Sequence, residues 1–357
     1  MRQLIKKGYK PLCVARSGLI TYHNGILYLY KNGVFDEILQ IDNTLYSKTR
    51  NRLLERIFRI EPKSAVWFED ALFIALNDSI LTIDIEGKCV TKKGTFRKKY
   101  IHTSRLSVIY GLKSFNDSVV YGEYFDNPSR EEVCIFQSCG NEWKKVFSFA
   151  PGTVRHIHNM VPDAMHDCVY ILTGDSDSES GIWKATKNFS VVEPLLVGSQ
   201  KYRACIGFLF DNELCFATDI PSKDNYINSI NLENMEIRSI QNIPGTCTTG
   251  CIVGDQMIFG TTVECEEPSG NRRIDRIKYL LSRKKAKGIQ SDEVYLYLGT
   301  PTKGFAEIEH MKKDIFPGGL CQFGRIYVVT DEDSSGIYYY PIATKKYDGK
   351  MYHLDIR

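Results

Sequence analysis

The sequence of 357 residues has little proline and no long apolar run. Only 12 prolines stand against 21 tyrosines and 18 phenylalanines, a balance that excludes a disordered chain. No stretch approaches the roughly 18 consecutive apolar residues of a membrane-spanning helix. The basic start, residues 1–8, is not followed by an apolar segment, so we expect neither a secretory signal nor a transmembrane segment.

A disulfide framework is also missing. The 11 cysteines are odd in number and scattered, and most lie in runs typical of strands. Cys247 and Cys251 are four residues apart, but no second pair lies near them, which argues against a zinc site. Because reduced, buried thiols are typical of a reducing compartment, we expect a cytoplasmic protein.

One pattern recurs seven times: a short apolar run, a tight turn, then a strongly β-prone run. Anchored on residues 24, 70, 117, 167, 212, 255 and 325, the copies are 46, 47, 50, 45, 43 and 70 residues apart. Strand-type repeats with this period are typical of a β-propeller. The sequence therefore predicts an all-β, seven-bladed propeller, with six blades as the alternative, forming one domain over residues 1–357.

The fifth copy serves as a template for a blade. Residues 203–210, 213–218, 227–232 and 237–240 read as four strands, and Asp211-Asn212 suits the first hairpin turn. Four antiparallel strands per copy are typical of a propeller blade. Residues 1–15 or the last strand, near Tyr352, must then close the ring.

The long sixth interval contains a basic helical insertion, residues 266–292. Within it residues 271–287 hold eight Lys or Arg and one Asp, a net charge of +7, whereas the whole chain is only +3, which leaves about −4 for the remainder. Ile274, Ile277, Leu280 and Leu281 recur at helical spacing. We expect a helix that packs on the propeller by this apolar stripe; the alternatives are a gate that attracts anions or a contact with a membrane surface. A weaker helical stretch covers residues 49–56.

Acidic residues recur just after the second strands of the predicted blades. In a propeller the first strand starts, and the second strand ends, at the same end of the blade, so the residues flanking this hairpin share one rim. The acidic positions are Asp78, Glu123, Asp175, Asp219, Glu264 and Asp331, with Asn32 in the first blade. Each could be a substrate-facing carboxylate or an acid that closes a loop.

The fourth copy has the richest set of polar residues at this rim. It begins with Arg155-His156-Ile157-His158 and returns through Asp175. In a strand, His156 and His158 point to the same side. With Asp175 they could hold one divalent metal ion, act as general base and acid, or form a hydrogen-bonded structural pair.

Two further groups suggest carbohydrate chemistry. Glu123 and Glu264 end strands in the third and sixth copies, and paired carboxylates can act as acid and base on a glycosidic bond. Arg130, Arg155 and Arg203 could bind a carboxylate or sulfate of the substrate. Asp219 and Gln200 complete the expected substrate-binding set.

Two segments carry a resemblance to a known family. Residues 136–143 and 176–183 resemble worn Asp-boxes, the Ser-x-Asp-x-Gly-x-x-Trp hairpin of sialidase-like (BNR) propellers. The chain from about 105 to 265 is similar to propeller proteins of microbial polysaccharide gene clusters that are often labelled glycosyl hydrolases. The sialidase set of three arginines, a Tyr-Glu pair and an acidic Asp has no residue-by-residue match here. Some propeller polysaccharide lyases hold a metal with His and Gln, and His156, His158 and Gln200 invite that comparison.

Three functions are therefore open. The first is a carbohydrate-active enzyme, a glycoside hydrolase or a metal-assisted lyase, acting on an acidic oligo- or polysaccharide, with His156, His158, Asp175, Glu123 and Glu264 as catalytic candidates. The second is a propeller that binds a glycan or a protein at the same face without catalysis. The third is nucleic-acid binding through the basic helix, which we do not expect because the remainder of the chain is acidic and no aromatic platform accompanies the basic run.

Overall fold

Strands account for nearly all the regular structure. The computed structural model describes residues 2–41, 51–76, 78–97, 105–140, 142–266 and 273–356. The strands in these ranges are β1 (Gln3–Lys7), β2 (Lys10–Ala15), β3 (Gly18–His23), β4 (Ile26–Lys31), β5 (Val34–Gln40), β6 (Ser64–Phe68), β7 (Ala71–Ala75), β8 (Ser79–Asp84), β9 (Cys89–Thr95), β10 (Leu106–Ile109), β11 (Ser118–Gly122), β12 (Val133–Cys139), β13 (Glu142–Phe149), β14 (His156–Asp163), β15 (Cys168–Gly174), β16 (Gly181–Thr186), β17 (Val191–Val197), β18 (Ala204–Phe210), β19 (Glu213–Thr218), β20 (Asn225–Asn231), β21 (Ile237–Ile243), β22 (Cys247–Val253), β23 (Gln256–Thr261), β24 (Glu293–Thr300), β25 (Gly304–Lys312), β26 (Arg325–Thr330), β27 (Gly336–Ile342) and β28 (Lys350–Asp355). The α helices are α1 (Arg52–Phe58), α2 (Arg273–Leu281) and α3 (Gly318–Cys321), and Gln200–Tyr202 form a 3₁₀ turn.

The strands form seven four-stranded antiparallel sheets. Six of them use four consecutive strands, β2 to β5, β6 to β9, β10 to β13, β14 to β17, β18 to β21 and β22 to β25. The seventh has the order β1-β28-β27-β26. The predicted seven-bladed β-propeller is confirmed, and its repeat length is that of one blade.

The chain divides into two compact units, Glu61–Leu209 and Met1–Ile60 with Phe210–Arg357. The core of the first unit includes Val120, Ile135 and Ile171, which are fully buried. A core of the second unit includes Ile326, Ile337 and Tyr339, also fully buried. In β11, β15 and β27 every residue is buried, so these strands are covered on both faces.

The amino-terminal strand completes the seventh blade. β1 pairs antiparallel with β28, in the register Gln3 to His353 and Lys7 to Lys350. The backbone N–H of Gly8 also donates to the carbonyl of Gly349 at 2.6 Å. Both segments that the sequence offered for closing the ring are therefore used, one paired with the other.

The template of the fifth copy agrees with β18 to β21 to within about three residues at each end. The first and last copies were placed wrongly. The turn at residues 22–25 joins β3 to β4, the second and third strands of its blade, and residues 323–325 precede or begin β26. Consequently Asn32 follows a third strand and Asp331 a first strand, so neither lies at the rim that was expected.

The helices also differ from expectation. α2 covers only part of residues 271–287, of which 271 and 272 lie outside the described residues, as do 49 and 50 of the weaker stretch. The predicted packing of the apolar stripe is wrong: Ile274, Ile277 and Leu281 are 55–61 % exposed. The helix turns this stripe away from the protein. Within the described residues, no helix has both the length and the apolar character needed to cross a bilayer.

The β1–β28 pairing leads to the first prediction. Removing residues 2–7 would leave β28 as an unpaired edge that carries the buried residues Met351 and Tyr352. At a net value of about 1 kcal/mol for each ladder hydrogen bond, we expect a loss of about 2–4 kcal/mol. Thermal unfolding measures it, with Leu4→Ser, at an exposed position of β1, as the control. An unchanged midpoint in the truncated chain would show that β1 does not support the blade.

Candidate functional site

The candidate site starts from an irregularity in the first hairpin of the fourth blade. β14 pairs with β15 in the register His156 to Gly174 and Ile157 to Thr173, and then shifts so that Asn159 faces Leu172. His158 is thus the extra residue of a β-bulge, a feature that redirects side chains. Both imidazoles are buried, and their Nε2 atoms lie 3.0 Å apart, which confirms that they point to the same side.

Gly174 is what lets β15 approach the second imidazole. A Cβ at this position would lie 2.7 Å from Cε1 of His158 and 3.2 Å from Cγ of Arg203. Any other residue would therefore displace the ring, and the chain reaches Asp175 directly after this close contact.

Three electron-rich atoms converge at the end of this hairpin. Oδ1 of Asp175 lies 3.2 Å from Nε2 of His156 and 3.4 Å from Nε2 of His158. With the 3.0 Å separation of the two nitrogens, the three atoms form a small triangle. We call His156, His158 and Asp175 the histidine–aspartate cluster.

The tautomer of His158 follows from its other nitrogen. Nδ1 lies 2.9 Å from the backbone carbonyl of Ala204, which can only accept a hydrogen bond. Nδ1 therefore carries the proton, and in the neutral ring the lone pair of Nε2 points into the cluster. Nδ1 of His156 is buried and has no hydrogen-bond partner among the described residues. Its ring is held instead by stacking on Tyr124, with centroids 3.8 Å apart.

Two guanidinium groups compensate the charge of Asp175. Arg155 Nη1 contacts Oδ2 at 3.0 Å, and Arg203 Nη2 contacts Oδ1 at 3.2 Å. Burial would raise the pKa of the Asp175 carboxyl, but the imidazoles and Arg203 outweigh burial and hold this pKa well below its usual value. Burial lowers the pKa of His156 below 6.5, and Asp175 offsets this only in part. At neutral pH the cluster therefore has an ionised carboxylate beside a neutral His156.

The backbone around Asp175 is fixed by residues from the next segment of the chain. Its carbonyl accepts from Nε2 of Gln200 at 2.6 Å and from Nη1 of Arg203 at 2.9 Å. Gln200 lies in the 3₁₀ turn and Arg203 directly precedes β18. Gln200 and Arg203, which were predicted to bind substrate, thus contact Asp175.

Arg130 lies outside the cluster. Its Nε donates to Glu179, whose Oε2 in turn accepts from the backbone N–H of Ser176. The ion pair therefore braces the loop that begins with Asp175.

Glu123 is engaged in a separate ion pair. Its carboxylate is fully buried, and Arg97 donates to both oxygens, at 2.9 and 2.6 Å. Oε2 also accepts from the backbone N–H of Cys134 at 2.9 Å. Glu264 and Asp219 belong to the other compact unit, where Oε1 of Glu264 accepts from Thr262 and Asp219 is buried directly after β19. The structure brings six of the predicted site residues together, and Glu123 and Arg130 lie outside the cluster and its supports.

Three residues take part in the cluster that were not predicted from the sequence. These are Tyr124, which stacks on His156, Gly174, which admits the ring of His158, and the carbonyl of Ala204, which sets its tautomer. The sequence indicated only Tyr124 and Gly174, because each lies beside a predicted acidic residue, Glu123 and Asp175 respectively.

The cluster fits a divalent metal ion by its donors and by its spacing. Two imidazoles and one carboxylate are a usual donor set for transition metals. Donors at about 2.1 Å from a metal lie about 3.0 to 3.4 Å from one another in octahedral or tetrahedral geometry, and the three separations here are 3.0, 3.2 and 3.4 Å. The His158 Nδ1–H to carbonyl bond is the usual outer contact of a metal-bound histidine.

No family model matches the chain, and no curated protein matches it in sequence. The similarity is in structure. An oligogalacturonate lyase in complex with manganese aligns over 100% of this chain and 93% of its own, with a TM-score of 0.59 and 10% identity. The AfRom2 CNH domain and the Cps50 (Swd1) β-propeller domain of Myceliophteria thermophila align over the full length of both chains, each with a TM-score of 0.57, at 8% and 9% identity. These likenesses show the propeller fold; nothing in them supports the sialidase-like resemblance.

The lowered pKa of His156 predicts a pH dependence of stability. Unfolded His156 takes up a proton below about pH 6.5 while the folded group stays neutral, so stability falls as the pH drops from about 7 to 5, by up to about 1.4 kcal/mol per pH unit for one proton. Denaturant unfolding with a chelator present should show a flatter dependence for His156→Gln. The pKa of the exposed His310 is raised by its hydrogen bond to Glu307, so His310→Gln should change the slope in the opposite sense. Equal slopes for wild type and His156→Gln would mean that His156 is not held neutral.

Gly174→Ala should disturb the cluster through the His158 ring. We expect a loss of about 1–3 kcal/mol, as for other overpacked sites. Because the clash is with the imidazole, the same change should cost less in a His158→Ala background, and a double-mutant cycle by chemical denaturation measures the difference. Additive effects would contradict the close contact.

Proposed function

We propose that the chain binds one divalent metal ion at the histidine–aspartate cluster and that its ligand is an acidic oligosaccharide. The observation that carries this proposal is the convergence of Nε2 of His156, Nε2 of His158 and Oδ1 of Asp175 within 3.4 Å of one another. Asp175 is ionised, and the lone pair of His158 Nε2 is directed by the bond to Ala204, so these two donors are in the state that a metal requires.

Arg155 supports an acidic ligand. It is the more exposed of the two guanidinium groups, at 27 % of its side chain, and its Nη2 contacts Oδ1 of Asp126 at 3.1 Å. Asp126 is 54 % exposed, and an exposed pair of this kind contributes little. A sugar carboxylate can therefore replace Asp126 at small cost, while the other side of the guanidinium keeps its contact with Asp175.

The geometry favours metal-assisted elimination over hydrolysis by paired carboxylates. Glu123 is buried and saturated by Arg97, which leaves it poorly suited to exchange a proton with a sugar. A bound metal would supply a Lewis acid that withdraws charge from a uronate carboxylate. Arg155 would bind and orient that carboxylate, and Gln200 and Arg203 would keep Asp175 in place. An oligogalacturonate lyase that binds manganese has the same fold, which supports the choice of a uronate by analogy.

The ion pairs of the cluster favour a second candidate, a site that binds an acidic glycan without cleaving it. Arg155 and Arg203 both already contact Asp175, and positive charge lowers the affinity for a cation. The anion would then compensate this charge, so that metal and glycan bind cooperatively.

The test combines metal binding with a substrate screen. Calorimetric titration with Mn²⁺ should show one site in the wild type and a loss of at least about 100-fold in affinity for His156→Ala or His158→Ala, since even outer contacts of a metal site contribute 10–100-fold. His166→Ala, on the hairpin turn between β14 and β15, is the matched control and should bind as wild type.

Oligogalacturonates are then incubated with the metal or with a chelator. Metal-dependent formation of an unsaturated product, detected by ultraviolet absorbance, supports the lyase; metal-dependent binding without product supports the non-catalytic alternative. Absence of metal binding in the wild type would contradict both.

A further inference from the structure

The helix α1 has its polarity reversed relative to an ordinary surface helix. It buries Glu55 and Arg56 and exposes Leu54 and Phe58, at 37 % and 49 %. The buried charges have specific partners: Nε of Arg56 donates to the carbonyl of Cys321 at 2.8 Å, and its Nη1 contacts Asp314 at 2.6 Å. The reversal is therefore stabilised by the fold, because turning the helix over would leave these groups unpaired.

The helix α2 shows the same reversal. Its partly buried positions are Asp275 and Tyr279, one turn apart. The apolar residues Ile274, Ile277 and Leu281 form one stripe on the opposite side and are 55 %, 56 % and 61 % exposed. An apolar stripe that faces solvent costs free energy unless something covers it.

The two helices are joined by α3 within one compact unit. A Cβ on Gly319 would lie 2.7 Å from the carbonyl oxygen of Tyr279, so α2 lies directly against α3. On the other side, Nη2 of Arg59 donates to the carbonyl of Gly319 at 3.3 Å. Eight of the fifteen large apolar side chains that are exposed in the described residues belong to these helices and to the segment before α3. We call them the apolar face: Leu54, Phe58, Ile274, Ile277, Leu280, Leu281, Ile315 and Phe316.

The charge beside the apolar face is strongly positive. The exposed basic residues on α2 and in the segment after it are Arg273, Lys278, Arg283, Lys284 and Lys287. Of these, Lys284 pairs with Glu266 at 2.7 Å. Residues 271–287 have a net charge of +7 in a chain of +3, so the positive charge is concentrated here.

We propose that the apolar face docks on an anionic phospholipid bilayer. Such a bilayer has an apolar layer of acyl chains beside a layer of acidic headgroups. The apolar side chains of the face insert among the acyl chains, and the lysine and arginine side chains that border them remain at the headgroups. An ordinary protein interface accounts less well for this composition, because lysine is depleted at such interfaces. The bilayer is the partner whose apolar and anionic layers match both features.

Vesicle co-sedimentation tests the proposal. The full chain is mixed with vesicles of equal parts phosphatidylserine and phosphatidylcholine, or of phosphatidylcholine alone. We expect binding to the anionic vesicles that weakens as salt is added, and a fall of at least about tenfold in the partition coefficient for Ile277→Ser with Leu281→Ser. Val34→Ser with Met165→Ser removes two apolar side chains elsewhere that are 55 % and 72 % exposed, and it should bind as wild type.

Further variants and measurements separate the alternatives. Arg283→Glu with Lys287→Glu should also weaken binding, and near-ultraviolet circular dichroism checks that each variant is folded. Absence of binding to the anionic vesicles would overturn the proposal. So would binding that the Ile277 and Leu281 changes leave intact. Self-association of the wild type that the same changes abolish, without vesicle binding, would assign the apolar face to a second copy of the chain instead.

Discussion

The polar cluster of the fourth blade is arranged around one partly buried charge, the carboxylate of Asp175. Two guanidinium groups and two imidazoles contact it, and its own backbone carbonyl is held by Gln200 and Arg203. A carboxylate without such partners would lose its charge on burial. These contacts keep it ionised, and burial keeps the neighbouring His156 neutral although the carboxylate favours its protonation.

The position of Asp175 depends in turn on two backbone features. The bulge at His158 brings the second imidazole beside the first, and Gly174 leaves room for the ring. The first hairpins β2–β3 and β22–β23 show the same kind of shift, so the bulge recurs in several blades, and the fourth blade uses it to place its imidazoles. Irregular backbone that serves a polar cluster is usual at binding sites.

The sequence predicted the repeat well and its ends poorly. The spacing of the turns yielded the number of blades because each blade is one unit of antiparallel strands. It misplaced the first and last copies because tight turns also join β3 to β4 and precede β26, and the pattern does not distinguish these turns from that of a first hairpin. The alternation of side chains along a strand predicted that His156 and His158 would face one side. The strand directions predicted that Asp175 would lie at the same end of the hairpin. Neither could predict the stacking of Tyr124 or the bond to Ala204, since these depend on how segments distant along the chain pack.

Helical periodicity predicted an apolar stripe but not its orientation relative to the protein. It identified an apolar stripe in Ile274, Ile277 and Leu281, but periodicity does not tell which face of a helix turns inward. In α1 the answer depends on Asp314 and the carbonyl of Cys321, more than 250 residues away, which accept from Arg56. Both helices therefore turn charged or polar residues toward the protein and apolar residues toward solvent.

A crystal structure of the chain soaked with Mn²⁺ tests most directly the proposal that the histidine–aspartate cluster holds a metal. We expect an anomalous difference peak within about 2.3 Å of Nε2 of His156, Nε2 of His158 and Oδ1 of Asp175, and we expect this peak to be absent in His158→Ala. A manganese-soaked crystal that shows no peak there, with Nε2 of His156 still hydrogen-bonded to Asp175, would contradict the proposal.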